Sequence, residues 1–208
     1  QAYRRKIVHI IHKLQAQIEV IEQGDRTAIR KQAQQYTAED FQAELELIVD
    51  SLRESGLEEI ASVGEIHHLI TRARTFGFHM AALDIRQHSR IHEHAISELL
   101  RVANVRDDYS ALAEDEKIAL LSRELQNPRP LSPVKKQLSD ETTQMLETFS
   151  LVNEMLAVDS NCFGDYIISM THGVSDMLEV LILAKETGLW NNDEGKVESA
   201  INVVPLFE

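Results

Sequence analysis

Three short strand-like runs are separated by long stretches of helical periodicity, and this alternation limits the chain more than any other feature. The runs are Phe78–Gln87, Tyr166–Met170 and Ile201–Phe207. Strands interleaved with helices favour parallel pairing through helical crossovers. In such sheets, chemistry gathers where the strands end at their C-terminal side. Those ends hold Asp84 and Arg86 in the first run, Thr171 and His172 after the second, and Glu208 after the third.

The helical stretches carry their own punctuation. Ile7, Ile10, Ile11, Leu14, Ile18 and Ile21 recur at three- and four-residue steps and predict one apolar stripe, stopped at Gln23-Gly24. Thr27–Gln35 is polar and fits either a loop or a solvated helix. Thr37 with Asp40 forms a capping-box pattern ahead of Phe41, Leu45, Ile48 and Leu52. A third helix is expected with Ile60, Val63, Ile66 and Ile70 inward. Ser89 is expected to cap the helix after the first strand, and Ser139 the one carrying Met145, Phe149 and Val152. Asn127–Pro130 and Pro133 predict a rigid connector. Leu189–Lys196 reads as a polar, exposed loop. Residues 1–75 are therefore expected to be a helical region and 76–208 a strand–helix–strand portion.

Charge narrows the partners. Lys and Arg number 21 against 34 Asp and Glu, a formal net charge of −13. Such a balance argues against nucleic acid and against an anionic membrane surface. The single cysteine, Cys162, excludes a disulfide framework, and no base stands near it in sequence. His88, His92 and His94 have a spacing that could place two imidazoles on one helix face. They lack the order of a zinc-protease motif and fit ordinary surface histidines. An acidic, largely helical chain of this kind also fits an interaction or scaffold domain without catalysis.

Asp84 and Arg86 stand out on physical grounds, because charged side chains on an apolar strand are costly to bury unpaired. They could form a structural ion pair. Alternatively, the planar guanidinium of Arg86 could be aimed at a phosphate or carboxylate. Glu208 could be a plain surface acid or a hard oxygen ligand for a divalent cation.

Phe76-Gly77 followed by Leu83-Asp84-Ile85-Arg86-Gln87 resembles the phosphoenolpyruvate carboxylase family. So do Tyr3-Arg4, Asn127-Pro128-Arg129-Pro130-Leu131, the stretch Tyr166–Asp176, and Val204-Pro205-Leu206-Phe207-Glu208, all in the family's order. The resemblance is to the bacterial-type enzyme, and it implies a helix-rich (β/α)8 barrel of which this chain is a partial, mostly α segment with a few short parallel strands. It implies a cytoplasmic homotetramer that joins phosphoenolpyruvate and bicarbonate into oxaloacetate and phosphate with Mg²⁺ or Mn²⁺. By that likeness Arg86 would hold phosphate as the catalytic and substrate-binding residue, and Glu208 would be a metal carboxylate. Asp84, Gln87, Ser175 and Asp176 would support them, the last two as a helix cap and its support. The role of His172 stays open. Glu124 and Arg129 would either pair across a subunit contact or stand as solvated charges. Motifs carrying the family's essential histidine, its second metal carboxylate and its glycine-rich loop do not occur in these 208 residues. The chain is therefore expected to be an internal piece and inactive by itself.

Overall fold

Thr37 sets the sharpest boundary in the N-terminal half: its hydroxyl accepts from the Asp40 amide at 3.2 Å, while the Asp40 carboxylate accepts from the Thr37 amide at 3.0 Å. The predicted capping box therefore forms and satisfies two otherwise orphaned donors. In the computed structural model, residues 2–132, 138–193 and 195–208 are described. The chain is mostly helical and divides into two units, residues 1–82 with 157–162 and residues 83–156 with 163–208.

The first unit contains α1 (Ala2–Gln23), α2 (Arg26–Gln35), α3 (Ala38–Glu54), α4 (Glu58–Ser62) and α5 (Glu65–Phe76). The ambiguous polar stretch is helix α2, begun by Asp25, whose carboxylate accepts from the Thr27 and Ala28 amides. Helix α3 buries Phe41, Leu45, Ile48 and Leu52, as its periodicity predicts. Two expectations fail here. The third predicted helix breaks at Gly64, which has φ 154°, and this turns Ile60 and Val63 out to 56 % and 77 % exposure. On α1 only Ile10 is buried, while Ile7, Ile11, Ile18 and Ile21 are exposed. A 22-residue helix is about 33 Å long and outruns the 17-residue α3 on which it packs. The polar centre of this unit is Glu44, which accepts from Lys6 at 2.8 Å, Lys13 at 3.0 Å and the Tyr36 hydroxyl at 2.7 Å.

The second unit runs β1 (Leu83–His88), α6 (Ser89–Val102), a 3₁₀ turn (Tyr109–Ala111), α7 (Glu114–Gln126) and α8 (Asp140–Leu156). It continues through β2 (Phe163–Ser169), α9 (Val174–Glu186), the hairpin β3 (Trp190–Asp193) and β4 (Lys196–Ser199), and β5 (Asn202–Pro205). Strands β1, β2 and β5 form one parallel sheet in that order. His88 pairs with Ser169 and Ile168 with Pro205, so the three strands end together. The core beside the sheet includes Ile96, Leu99, Leu121, Phe149, Tyr166 and Leu183. The three strands do not close into a barrel.

The differences from expectation are local. The first strand begins at Leu83 rather than Phe78, because residues 78–82 turn and Met80 takes φ 67°. The supposed loop 189–196 holds strand β3 and buries Leu189 and Trp190, since two apolar residues follow the stop of α9 at Gly188. Glu194 and Pro133 lie outside the described residues. Helix α6 is capped by His88, whose Nδ1 accepts from the Arg90 amide at 3.1 Å, and not by Ser89.

Candidate functional site

Parallel strands put their C-terminal ends on one edge, and there two side chains far apart in sequence meet. Arg86 leaves β1 and Glu208 follows β5, with Arg86 Nη2 donating to Glu208 Oε1 at 2.5 Å. Both are partly exposed, with side-chain accessibilities of 55 % and 42 %, so the pair faces solvent. A guanidinium and a carboxylate in that position offer a phosphate fork and a hard oxygen donor side by side.

Asp84 does not join them. The pairing register shifts between Leu83 and Ile85, and the Asp84 carboxylate accepts from the Asp165 amide at 2.8 Å. A bulge disrupts the ladder locally, and a side-chain acceptor restores the partner. The carboxylate lies so close to Gly164 that a Cβ there would stand 2.3 Å from Oδ1. Asp84 is thus part of the strand pairing, and the ion pair considered for it and Arg86 is replaced by two separate contacts. Gln87 turns its Oε1 back to the His88 amide at 2.8 Å.

The turn from β2 into α9 is tightly held. Met170 has φ 56°, in the left-handed region that a side chain disfavours. Ser89 Oγ donates to the Met170 carbonyl at 2.7 Å, and the Thr171 amide donates to the Leu206 carbonyl at 3.0 Å. The Asp176 carboxylate accepts from the His172 amide at 2.7 Å and the Gly173 amide at 3.1 Å. Asp176 is therefore the capping acid, Gly173 sits at the N-cap, and His172 takes part through its backbone. Ser175 is not the cap. Its amide and hydroxyl donate to Glu114 at 2.9 and 2.7 Å, because as the second helical residue it has an orphan N–H to satisfy. Burial pushes the Glu114 carboxyl up, but the Ser175 bonds outweigh it and hold the carboxyl below its ordinary range.

The histidines separate into three different tasks. His88 caps α6, and His94 Nδ1 lies 3.1 Å from Glu141 at the surface. His92 is fully buried, contrary to the surface expectation, with Nε2 at 2.8 Å from the Tyr166 hydroxyl. Burial, followed by the neighbouring His88, lowers its pKa to about 4, so it stays neutral. Among the described residues no group of three or more His, Cys, Asp or Glu could hold a metal ion. Glu208 can supply one carboxylate; Mg²⁺ commonly takes one or two and keeps several waters, so the residue fits as a single ligand. Cys162 has its thiol pushed up, first by burial and then by Asp159, the opposite of an activated nucleophile.

Glu124 and Arg129 form their pair within the chain. Glu124 is buried, Arg129 Nη2 donates to its Oε2 at 3.2 Å, and Lys185 Nζ donates to its carbonyl at 2.6 Å. Glu124 is therefore not a solvated charge. Sequence reasoning passed over Glu179 altogether. It is 1 % exposed, accepts from the Tyr109 hydroxyl at 2.8 Å, and leaves Oε2 without a partner.

Comparison with known proteins agrees with the motif pattern. A family model described as phosphoenolpyruvate carboxylase matches residues 1–208. Curated relatives with that description include proteins of Rhodothermus marinus, 43 % identical over 215 residues, and Ralstonia nicotianae, 36 % identical over 214 residues. A third, from Roseiflexus castenholzii, is 37 % identical over 214 residues. Each alignment covers 100 % of this chain and 22 % of the relative, so the chain spans about a fifth of their length. No described helix is long and apolar enough to cross a membrane.

Proposed function

Because the chain belongs to the phosphoenolpyruvate carboxylase family, we propose that it supplies one phosphate-binding arginine and one metal carboxylate to an enzyme that makes oxaloacetate from phosphoenolpyruvate and bicarbonate. The observation that carries this reading is the meeting of Arg86 and Glu208 at the shared end of parallel strands. Bicarbonate attacks the phosphoryl group, giving carboxyphosphate and the enolate of pyruvate. Carboxyphosphate then releases CO2, which the enolate captures. Arg86 binds the transferring phosphoryl group. Its planar fork spreads over two phosphoryl oxygens and stabilises the charge that develops there. Glu208 is a ligand of Mg²⁺ or Mn²⁺, and that cation, when bound, stabilises negative charge on the substrate oxygens. In the pair seen here, each group neutralises the other until substrate phosphate competes for the guanidinium.

Asp84 ties strand β1 to β2 through the Asp165 amide, Gln87 takes up the His88 amide beside Arg86, and Ser175 and Asp176 hold the start of α9. The three-stranded sheet belongs to a (β/α)8 barrel completed by other parts of the protein, which works as a cytoplasmic homotetramer. The 208-residue chain alone is inactive, since one arginine and one carboxylate do not assemble the reaction.

The test is oxaloacetate production by the full-length protein, followed as NADH oxidation in a coupled malate dehydrogenase assay. Arg86→Ala and Glu208→Gln should each lower kcat by about 10²–10³-fold, the scale for loss of one group that stabilises developing charge. Either variant retaining kcat within threefold of the parent would overturn the assignment, as would oxaloacetate formed by the isolated chain.

A further inference from the structure

We infer that Ser89 is a positioning residue, whose hydroxyl clamps a left-handed turn at Met170 and so fixes where Glu208 meets Arg86. The inference rests on the roles proposed above for those two residues. Arg86 lies three residues before Ser89 on the same strand-to-helix passage, and Glu208 lies two residues after Leu206. What joins these places is the end of β2. Ser89, 3 % exposed, donates from Oγ to the Met170 carbonyl at 2.7 Å. Met170, at φ 56°, bends the chain just past the last strand residue. Past that bend the Thr171 amide donates to the Leu206 carbonyl at 3.0 Å, while the Leu206 amide donates to the Ile168 carbonyl at 2.8 Å. Leu206 is thereby bonded from both sides beyond the end of strand β5. A methionine does not hold a left-handed conformation by its own preference; the surrounding contacts must impose it. The buried Ser89 hydroxyl is the side-chain contact on the Met170 peptide that does so. It ties the end of β1 to the end of β2, and Thr171 ties β2 to β5.

Without the hydroxyl, Met170 is free to relax toward negative φ, the Thr171 amide swings off Leu206, and the segment carrying Glu208 loses its anchor. Catalysis should suffer more than substrate capture. Full-length Ser89→Ala is expected to lose at least tenfold in kcat with KM for phosphoenolpyruvate changed less than threefold and a thermal midpoint within a few degrees of the parent. Ser89→Thr, which keeps the donor, should retain more than half of the parent kcat. Met170→Gly accepts the left-handed turn without a clamp, so the double variant Ser89→Ala/Met170→Gly should recover most of the lost kcat. Met170→Gly alone should stay within threefold of the parent, and it tests the idea even if Ser89→Ala does not fold. Parent-like kcat in Ser89→Ala would overturn the inference. So would a loss that Met170→Gly fails to restore, or a large loss in Met170→Gly alone. If Arg86→Ala and Glu208→Gln are themselves active, the reading of the site has failed; if they are inactive and Ser89→Ala is not impaired, only this inference has.

Discussion

Glu179→Gln should stabilise the protein by an amount that grows with pH. Burial, opposed by the Tyr109 hydrogen bond and reinforced by Asp176 and Glu93 against Lys117, pushes the Glu179 carboxyl up to about 8, from an ordinary value of 4.5. Below pH 4.5 both the folded and unfolded chains carry the proton, and the group has no effect on stability. As pH rises, the unfolded chain releases its proton while the folded chain keeps it, so stability falls until the folded carboxyl ionises near 8. At about 1.4 kcal/mol per pH unit, the loss is about 1 kcal/mol at pH 5 and about 4 kcal/mol at pH 7.5. Glutamine mimics the protonated acid. It has the same shape, accepts from Tyr109, and leaves one buried polar group unmet, as Glu179 Oε2 already is. The variant should therefore match the parent near pH 4.5 and exceed it by roughly 4 kcal/mol at pH 7.5. Urea unfolding followed by circular dichroism would show this as a midpoint difference of about 2 M at the higher pH, for a slope of about 2 kcal/mol per molar. An equal difference between variant and parent at pH 5 and pH 7.5 would refute the reasoning, because only a proton-linked cost depends on pH.

Glu44 should show the opposite linkage. Burial raises it, but bonds from Lys6, Tyr36 and Lys13 outweigh that and hold the carboxyl at about 2. Its contribution is present above pH 4.5 and lost as pH falls toward 2; Glu44→Gln should cost about 2–3 kcal/mol at pH 7 and little at pH 2.5, read by the same urea titrations. Gly164→Ala would place a Cβ 2.3 Å from the Asp84 carboxylate and should evict it from the Asp165 amide. A loss of about 0.5–1.5 kcal/mol is expected, the scale for one hydrogen bond lost where water can replace it, and faster hydrogen exchange at Asp165 would locate it.

Whatever depends on near neighbours in the chain was legible in the sequence. The Thr37–Asp40 box and the face of α3 are both decided within a few residues, and both form as their patterns predict. The alternation of strands and helices also predicts the parallel sheet, since a helix-length crossover leaves few other pairings. What escaped depends on partners 61 to 81 residues away. Ser89 has the composition of a helix cap, yet its hydroxyl is taken by Met170, 81 residues distant, and His88 caps instead. Ser175 is the same case with Glu114, 61 residues distant. Glu179 shows that a signal can exist and still be missed. It stands inside Met177–Ala184, a helical run apolar on every side, and such helices are buried. A single acid there has no solvent face to occupy, so it had to be neutral, bonded, or both. The same logic applies to Arg86 in reverse. An arginine near the C-terminal end of a strand must send its guanidinium to the sheet edge, but which carboxylate waits there depends on how strand β5 is held. That placement passes through Met170 and Ser89, the two residues whose conformation and partner no local pattern announces.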